Sequence, residues 1–166
     1  MQIGPEDREP RSISGEEWVK VITASVLEES VPEEVRDLFE TARGALVYGY
    51  FFYPLYALGE GQLFRVVEAA VTNKCKVMGA PARIKRFYDR VEWLVSQGVI
   101  PKQEKGKWDV IRELRNFESH PERQTLLPPG TVVGMLRRIA EEINALFRAS
   151  VKDEKIVPAE NREGTT

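Results

Sequence analysis

The sequence predicts an all-α protein, an up-and-down antiparallel bundle of four to five helices with a short additional helix at the N-terminus. Apolar residues recur at three- and four-residue spacing along most of the chain, as they do on the buried side of a helix. Prolines and glycines separate these periodic segments, and no alternating run is long enough for a convincing strand. The 166 residues, 42% of them apolar, are sufficient for one domain with a core.

The first helix is predicted to follow a polar arm, residues 1–13. Ser14 and Glu17 have the spacing of a capping box, in which each side chain accepts a hydrogen bond from the other residue's backbone N–H. We expect this helix to end near Glu29. Its inward stripe is Trp18, Val21, Ile22 and Val26.

The second helix is predicted to begin at Pro32, because proline is favoured at a helix start and the acidic Glu33 and Glu34 follow in the first turn. Its apolar stripe leads into ALVYGYFFYPLYAL, residues 45–58. This stretch is shorter than the roughly 20 residues of a bilayer span and is interrupted by Pro54. We therefore expect a buried helix with its aromatic side chains in the core or in a subunit interface. A platform that stacks nucleic-acid bases is the alternative.

Glycine and proline also mark the remaining helices, since glycine commonly ends a helix and proline commonly starts one. The last helix should bury Val132, Met135, Leu136, Ile139, Ile143, Leu146 and Phe147. The predicted ranges are Leu63 to about Met78, between a break at Gly59 and Gly61 and a stop at Gly79; Pro81 to Gly98; residues 104–120; and residues 131–150.

These elements predict three parts of the chain. Residues 1–30 form an N-terminal arm and short helix, residues 31–150 form the helical bundle, and the polar residues 151–166 form a disordered tail.

Composition limits the classes of function. A formal net charge of −2 argues against a protein that coats nucleic acid nonspecifically. The charge is uneven, however: residues 1–42 hold 4 basic and 11 acidic side chains (−7), whereas residues 74–115 hold 11 basic and 5 acidic ones (+6). Cys75 is the single cysteine, which excludes an intrachain disulfide, and we expect a structural thiol. The N-terminal residues do not resemble a secretory signal, so we expect a cytoplasmic protein without a membrane partner.

The stretch RELRNFESHP, residues 112–121, contains His120, the only histidine of the chain. Pro121 disfavours helical backbone at the residue before it, so His120 is predicted at the C-terminal end of the 104–120 helix. The partial negative charge of that helix end favours protonated imidazole. We expect one side of the helix to face the core, with Trp108, Val110, Ile111, Leu114 and Phe117. The opposite arc then holds Arg115, Ser119, Arg112, Asn116 and His120.

That arc has the chemistry for phosphodiester cleavage. Imidazole can transfer a proton near neutral pH, guanidinium matches a phosphate with a planar fork of donors, and an amide can orient either group. In RNA the 2′-hydroxyl can act as the nucleophile, so neither a metal nor another cofactor is needed. One histidine cannot easily serve both proton transfers, and we therefore expect a homodimer that pools two copies of the arc.

The segment from Arg115 to His120, RNFESH, resembles the R-x4-6-H signature, often written R-N-x-x-x-H, of the HEPN superfamily of small helical-bundle proteins. Its predicted position in a late helix, before a loop and a final helix, agrees with that family, and residues 33–149 are compatible with the family's architecture. Arg65 and Glu68 resemble a polar pair that some HEPN subfamilies have in an earlier helix.

The resemblance implies a metal-independent endoribonuclease of the toxin or defence type, acting on RNA as a homodimer, with a cognate antitoxin or regulatory protein as a further partner. It implies that His120 is the general acid or base, that Arg115 binds the scissile phosphate and that Asn116 positions these two side chains. We expect Arg112, Ser119 and Lys107 to bind RNA. The alternative is a non-catalytic helical module for dimerisation and for nucleotide or protein binding, in which His120 is only a helix cap.

Overall fold

A computed structural model describes residues 13–118 and 127–153; within these ranges, the side chains of residues 114–118 and 149–153 are not described. The described ranges contain six α-helices, one 3-10 turn and no β-strand, which confirms the predicted all-α bundle with a short N-terminal helix. The elements are α1 (Gly15–Thr23), α2 (Glu33–Tyr48), α3 (Tyr53–Val77), α4 (Phe87–Ser96), the 3-10 turn (Lys102–Glu104), α5 (Lys105–Glu118) and α6 (Pro129–Asp153).

The central element is α3. It packs antiparallel along α2 and also contacts α4, α5 and α6, while α1 packs on α2 and α6. Apolar side chains from all six helices join in one buried cluster around α3. The seven residues predicted to face inward on the last helix are all buried in this cluster, so that prediction is confirmed.

Two glycines bring α2 and α3 together. A Cβ added to Gly59 would lie 2.8 Å from Leu46 Cγ and 2.9 Å from the Leu46 backbone nitrogen. A Cβ on Gly49 would lie 2.8 Å from the backbone nitrogen of Tyr56. Both distances are shorter than packed atoms tolerate, so glycine is what permits this close approach. The predicted break at Gly59 and Gly61 is therefore wrong: both glycines lie inside α3.

The N-terminal helix has the predicted capping box. Ser14 Oγ accepts a hydrogen bond from the Glu17 N–H (3.2 Å), and the Ser14 N–H donates to Glu17 Oε2 (3.0 Å). The helix ends at Thr23 rather than near Glu29, and Val26, predicted to face inward, is exposed. The reason is a distant side chain, because Asn144 of α6 holds the following loop by its contacts to the Val26 carbonyl (3.0 Å) and the Glu28 N–H (2.8 Å).

The aromatic stretch is not one buried helix, so that part of the prediction is wrong, while its alternative, a subunit interface, stays a prediction. α2 ends at Tyr48, and α3 begins at Tyr53 with Pro54 in its first turn, where a proline costs no hydrogen bond. Near this corner, Leu46 and Tyr56 are buried in the core and Val47 packs partly against it, whereas Phe51 is 76% exposed. Within the described ranges, no helix combines the length and hydropathy that crossing a bilayer requires.

Gly79 and Gly98 end α3 and α4 as predicted. Their φ angles of 71° and 73° lie in the left-handed region that favours glycine. α4 starts at Phe87 rather than at Pro81, because residues 80–86 form an irregular loop with one turn, in which the Ile84 N–H donates to the Pro81 carbonyl. At the other end of the chain, α6 continues to Asp153, three residues into the predicted tail.

Candidate functional site

The candidate site surrounds the C-terminal end of α5. The helical backbone of α5 includes positions 115 and 116, and the helix extends to Glu118, two positions before His120. The side chains of Arg115 and Asn116 are not described, and Ser119 and His120 lie in residues 119–126, outside the described ranges. Their assignment to the site therefore stays a prediction from the sequence.

The side of α5 that faces the core differs from the prediction. Trp108 and Ile111 are buried as expected, but Val110 is 47% exposed, so its assignment to the core is wrong. The physical reason is that α4 covers a second side of α5 and leaves the side of Gly106 and Val110 to solvent.

This change bears on Arg112, the one residue of the predicted polar arc whose side chain is described. At 3.6 residues per turn, backbone position 115 follows Ile111 by about one turn, and position 116 follows Arg112 by about one turn. Arg112 itself lies on the side that α4 covers. Arg112 therefore adjoins the core-facing stripe instead of lying opposite to it.

Arg112 belongs to a cluster of charged groups between α4 and α5. Its guanidinium carbon lies 5.0 Å from the centroid of the Tyr88 ring, within cation–π range, and Nη2 lies 3.8 Å from Asp109 Oδ1. The Lys105 ammonium lies 5.5 Å from the same ring centroid and forms an ion pair with Glu92. Two cations therefore share one tyrosine ring, and two carboxylates balance their charge.

Hydrogen bonds in this cluster set the ionisation of its members. The hydrogen bond from Lys105, followed by the one from Tyr88, lowers the pKa of Glu92. The same contacts raise the pKa of Lys105 and of the Tyr88 hydroxyl. Glu92 therefore stays a carboxylate, and Lys105 stays an ammonium, over a wider pH range than the isolated side chains. The sequence alone did not predict this cluster, although α4 and α5 had been predicted as neighbours in the chain.

Lys107 lies away from Arg112. Its ammonium forms ion pairs with Glu104 and, at 2.9 Å, with Glu142 Oε1 of α6. These residues line a groove of about 740 Å³ among the 97–101 loop, the start of α5 and α6. The structure thus does not bring these two candidate RNA ligands together, since Arg112 contacts α4 and Lys107 contacts α6. Position 115 is also about 12 Å beyond Lys107 along the helix axis.

The chain that follows the undescribed residues 119–126 is anchored on α3. The Tyr56 hydroxyl donates a hydrogen bond to the Leu127 carbonyl (2.8 Å), and the Leu127 backbone also hydrogen-bonds to Glu60. Glu60 is only 4% exposed, and among the described residues its Oε2 has no hydrogen-bond partner. The four-residue spacing of Tyr56 and Glu60 places them on one side of a helix, but the sequence gives no sign of their partner 67 or more positions away.

Burial of Glu60 raises its pKa, and the hydrogen bond from Leu127 only partly opposes this effect. A raised pKa in the folded state means that Glu60 contributes stability at low pH and that this contribution is lost as the pH rises through the folded-state pKa. We therefore expect Glu60→Gln, which stays neutral, to become more stable than the wild type as the pH rises from 4 toward 9. Thermal unfolding at a series of pH values measures this difference. Glu113→Gln, at an exposed position, should not reproduce the trend, and a difference independent of pH would refute the assignment.

Other titratable residues have structural surroundings. Arg65 and Glu68 line a groove of about 660 Å³ between α2 and α3. Cys75 is buried, which raises its pKa, and its Sγ lies 3.8 Å from the Arg90 carbonyl oxygen, as expected of a structural thiol. Among the described residues, no group of three or more His, Cys, Asp or Glu side chains is arranged to hold a metal ion.

Comparison with known protein families gives a match over the second half of the chain. Residues 62–156, which include most of α3 and all of α4, α5 and α6, match the family described as a domain of unknown function, DUF4145. No curated protein and no solved structure matches the chain. The matched range includes the whole RELRNFESHP stretch and covers more than half of the sequence; the chain belongs to the DUF4145 family.

Proposed function

We propose that this protein is a metal-independent endoribonuclease of the toxin or defence type, acting on RNA as a homodimer. The observation that carries the proposal is the location of RELRNFESHP in an all-α bundle. The stretch begins inside α5, runs beyond Glu118, the last described residue of that helix, and precedes α6 in the chain. The resemblance to the HEPN superfamily supports the proposal, because that resemblance rests on the same motif and on the same order of helices around it.

The proposed reaction needs only groups of the protein and of the RNA. The 2′-oxygen attacks the adjacent phosphorus while the bond from phosphorus to the 5′-oxygen breaks, which gives a 2′,3′-cyclic phosphate and a 5′-hydroxyl. His120 of one subunit removes the 2′-hydroxyl proton, and His120 of the other subunit protonates the departing 5′-oxygen. Arg115 stabilises the charge that develops on the phosphate oxygens, and Asn116 orients the neighbouring groups.

The proposed RNA ligands outside this centre are Arg112, Ser119 and Lys107. Arg112 has a buried Nε without a hydrogen-bond partner in the described part of the chain, and its side chain is about one-third exposed. Because its side chain is partly exposed, Arg112 can offer N–H groups other than the buried Nε to a phosphate one helical turn from backbone position 116. Lys107 can contact RNA only if the strand extends along α5, and it must then exchange Glu104 or Glu142 for phosphate.

The test is incubation of the purified protein with total RNA in EDTA. We expect cleavage without added metal, 2′,3′-cyclic phosphate ends on the products and no cleavage of single-stranded DNA, which has no 2′-hydroxyl. His120→Ala protein, purified in parallel, controls for contaminating ribonuclease. Products with 3′-hydroxyl ends, or cleavage of DNA, would contradict 2′-hydroxyl attack.

The second candidate function is a non-catalytic module for dimerisation and for nucleotide or protein binding. It is favoured by the carboxylates beside Arg112 and Lys107, because cations that are already neutralised attract phosphates weakly. This candidate predicts binding of a partner without turnover in the same RNA experiment. For either function, we propose a regulatory partner such as a cognate antitoxin, which would co-purify with the protein from its natural source.

A further inference from the structure

The corner between α2 and α3 presents an unusual number of large apolar side chains to solvent. We refer to six residues between positions 48 and 58 as the aromatic corner. Each is between 43% and 76% exposed, although side chains of this size are normally mostly buried. The aromatic corner consists of Tyr48, Tyr50, Phe51, Phe52, Tyr53 and Leu58.

The aromatic corner is held in a fixed shape. Gly49 is buried against the Tyr56 backbone, so the turn between the helices lies directly on α3. The Tyr50 hydroxyl donates to the Ile13 carbonyl (3.2 Å), and the Tyr50 ring packs edge-on against Phe51 with 5.1 Å between centroids. The Tyr53 ring stacks on Tyr56 at 5.7 Å. Because these contacts fix the exposed rings in place, a partner could bind them at a low cost in conformational entropy.

The charge of the surface restricts the chemistry of its partner. No charged residue occurs between Arg43 and Glu60, so the aromatic corner offers no cation for a phosphate or an anionic lipid headgroup. Bases stacked on aromatic rings are normally held together with a basic track along the backbone, and this stretch has none. The chemistry instead fits an uncharged, apolar protein surface.

The size of the aromatic corner fits a second copy of the same chain. With their exposed fractions, the six side chains present roughly 700 Å² of surface, close to the ~800 Å² that each partner contributes to an interface of standard size. A twofold axis would place the patch against itself, so every apolar group would meet a surface equally free of charge. We infer that the aromatic corner is the interface through which two copies of this protein associate.

This interface would lie at the end of the bundle where the proposed site is. Tyr56, on which the Tyr53 ring of the aromatic corner stacks, donates a hydrogen bond to the carbonyl of Leu127, just before α6. The end of the α5–α6 connection at Leu127 therefore adjoins the aromatic corner. Association through this surface would bring the two Leu127 backbones to the same side of the dimer, and the segment that precedes each of them in the sequence contains the proposed catalytic His120. This last consequence rests on the proposed function, whereas association itself does not.

The test is sedimentation or light scattering of the full chain over a range of protein concentrations. Wild type should have about twice the 18.9 kDa mass of one chain. Phe51→Asp combined with Phe52→Asp should raise the dissociation constant roughly 100-fold or more, because charges would be buried without partners. Val77→Asp is the matched control: Val77 is 71% exposed but lies at the opposite end of α3, about 36 Å away along the axis. It should leave the dimer intact.

A second measurement does not depend on loss of binding. Cys75 is buried, so Phe51→Cys adds one accessible thiol per chain for a spin label, as Val77→Cys does in the control. In a dimer formed through the aromatic corner, labels at position 51 should be much closer across the two copies than labels at position 77. A wild-type monomer, a dimer that survives the double substitution in folded protein, or a longer distance at position 51 overturns the inference.

The same experiments separate this inference from the proposed function. Mass and label distance report on association whether or not RNA is cleaved, so a dimer disrupted by the double substitution supports the inference even without ribonuclease activity. The protein could instead be a monomer that binds RNA or lipid vesicles and loses this binding on the double substitution. That result would assign the aromatic corner to the RNA or the lipid and would overturn the inference that it binds a second copy of the chain.

Discussion

His120→Ala is expected to lower the rate of RNA cleavage by about 10²- to 10⁴-fold, the usual contribution of a proton-transfer group. The substitution should leave the midpoint of thermal unfolding nearly unchanged, because the apolar cluster of the bundle is formed by other residues. Initial rates on a fluorescent single-stranded RNA, measured with enzyme above its dissociation constant, give the comparison. Folded His120→Ala protein that cleaves RNA at the wild-type rate would leave the histidine with no catalytic role.

Arg115 provides the companion test of the same centre. Arg115→Ala should lower the rate, and Arg115→Lys should restore little of it, because an ammonium keeps the charge but loses the planar fork that fits two phosphate oxygens. Since backbone position 115 shares a stripe with the buried Ile111, both variants must first be shown to unfold with wild-type cooperativity. Full rescue by lysine would indicate that Arg115 acts only as a point charge.

Gly59→Ala should give the largest loss of stability of any methyl addition that we propose. The added Cβ would lie 2.8–2.9 Å from Leu46, including its backbone nitrogen, so α2 and α3 must separate to accept it. Overpacking of this kind costs about 1–3 kcal/mol, which exceeds the helix-propensity gain of up to about 1 kcal/mol for replacing glycine by alanine. Urea unfolding monitored by circular dichroism measures the net loss.

Gly44→Ala is the matched control, because Gly44 is also inside a helix but has nothing within 4 Å of the added Cβ. Here only the propensity gain applies, so we expect stabilisation by about 0.5–1 kcal/mol. The two changes are chemically identical and should have opposite signs. If both variants were stabilised, the close contact between α2 and α3 would be wrong.

Local features were predictable from the sequence because they depend on residues within about one helical turn. The Ser14–Glu17 capping box, the glycine stops at 79 and 98, and the inward stripe of α6 all belong to this kind. The RELRNFESHP motif was also visible in the sequence, and it remains the basis of the proposed function. Its surroundings were not visible, because they come from α3, α4 and α6.

Features that depend on contacts between distant segments were decided only by the tertiary structure. Val110 has a core-like position in the pattern of α5, yet it is exposed because α4 covers a different side of the helix. Glycine commonly interrupts a helix, yet Gly59 lies inside α3 at its contact with α2, because the absence of a Cβ makes room for Leu46.

The aromatic corner and the Leu127 anchor differ from the sequence pattern for the same reason. Apolar residues in a continuous run cannot all face one core, and the position of Pro54 and the packing of Gly49 decide which of them remain exposed. Leu127 is held by Tyr56 and Glu60 through its backbone, a contact that no side-chain pattern encodes. The sequence by itself therefore determined that the chain folds into helices, which capping and glycine signals mark some of their ends, and which motif they carry. The tertiary structure decided the remaining helix ends and which helix sides are covered, because both depend on neighbours that are far away in the chain.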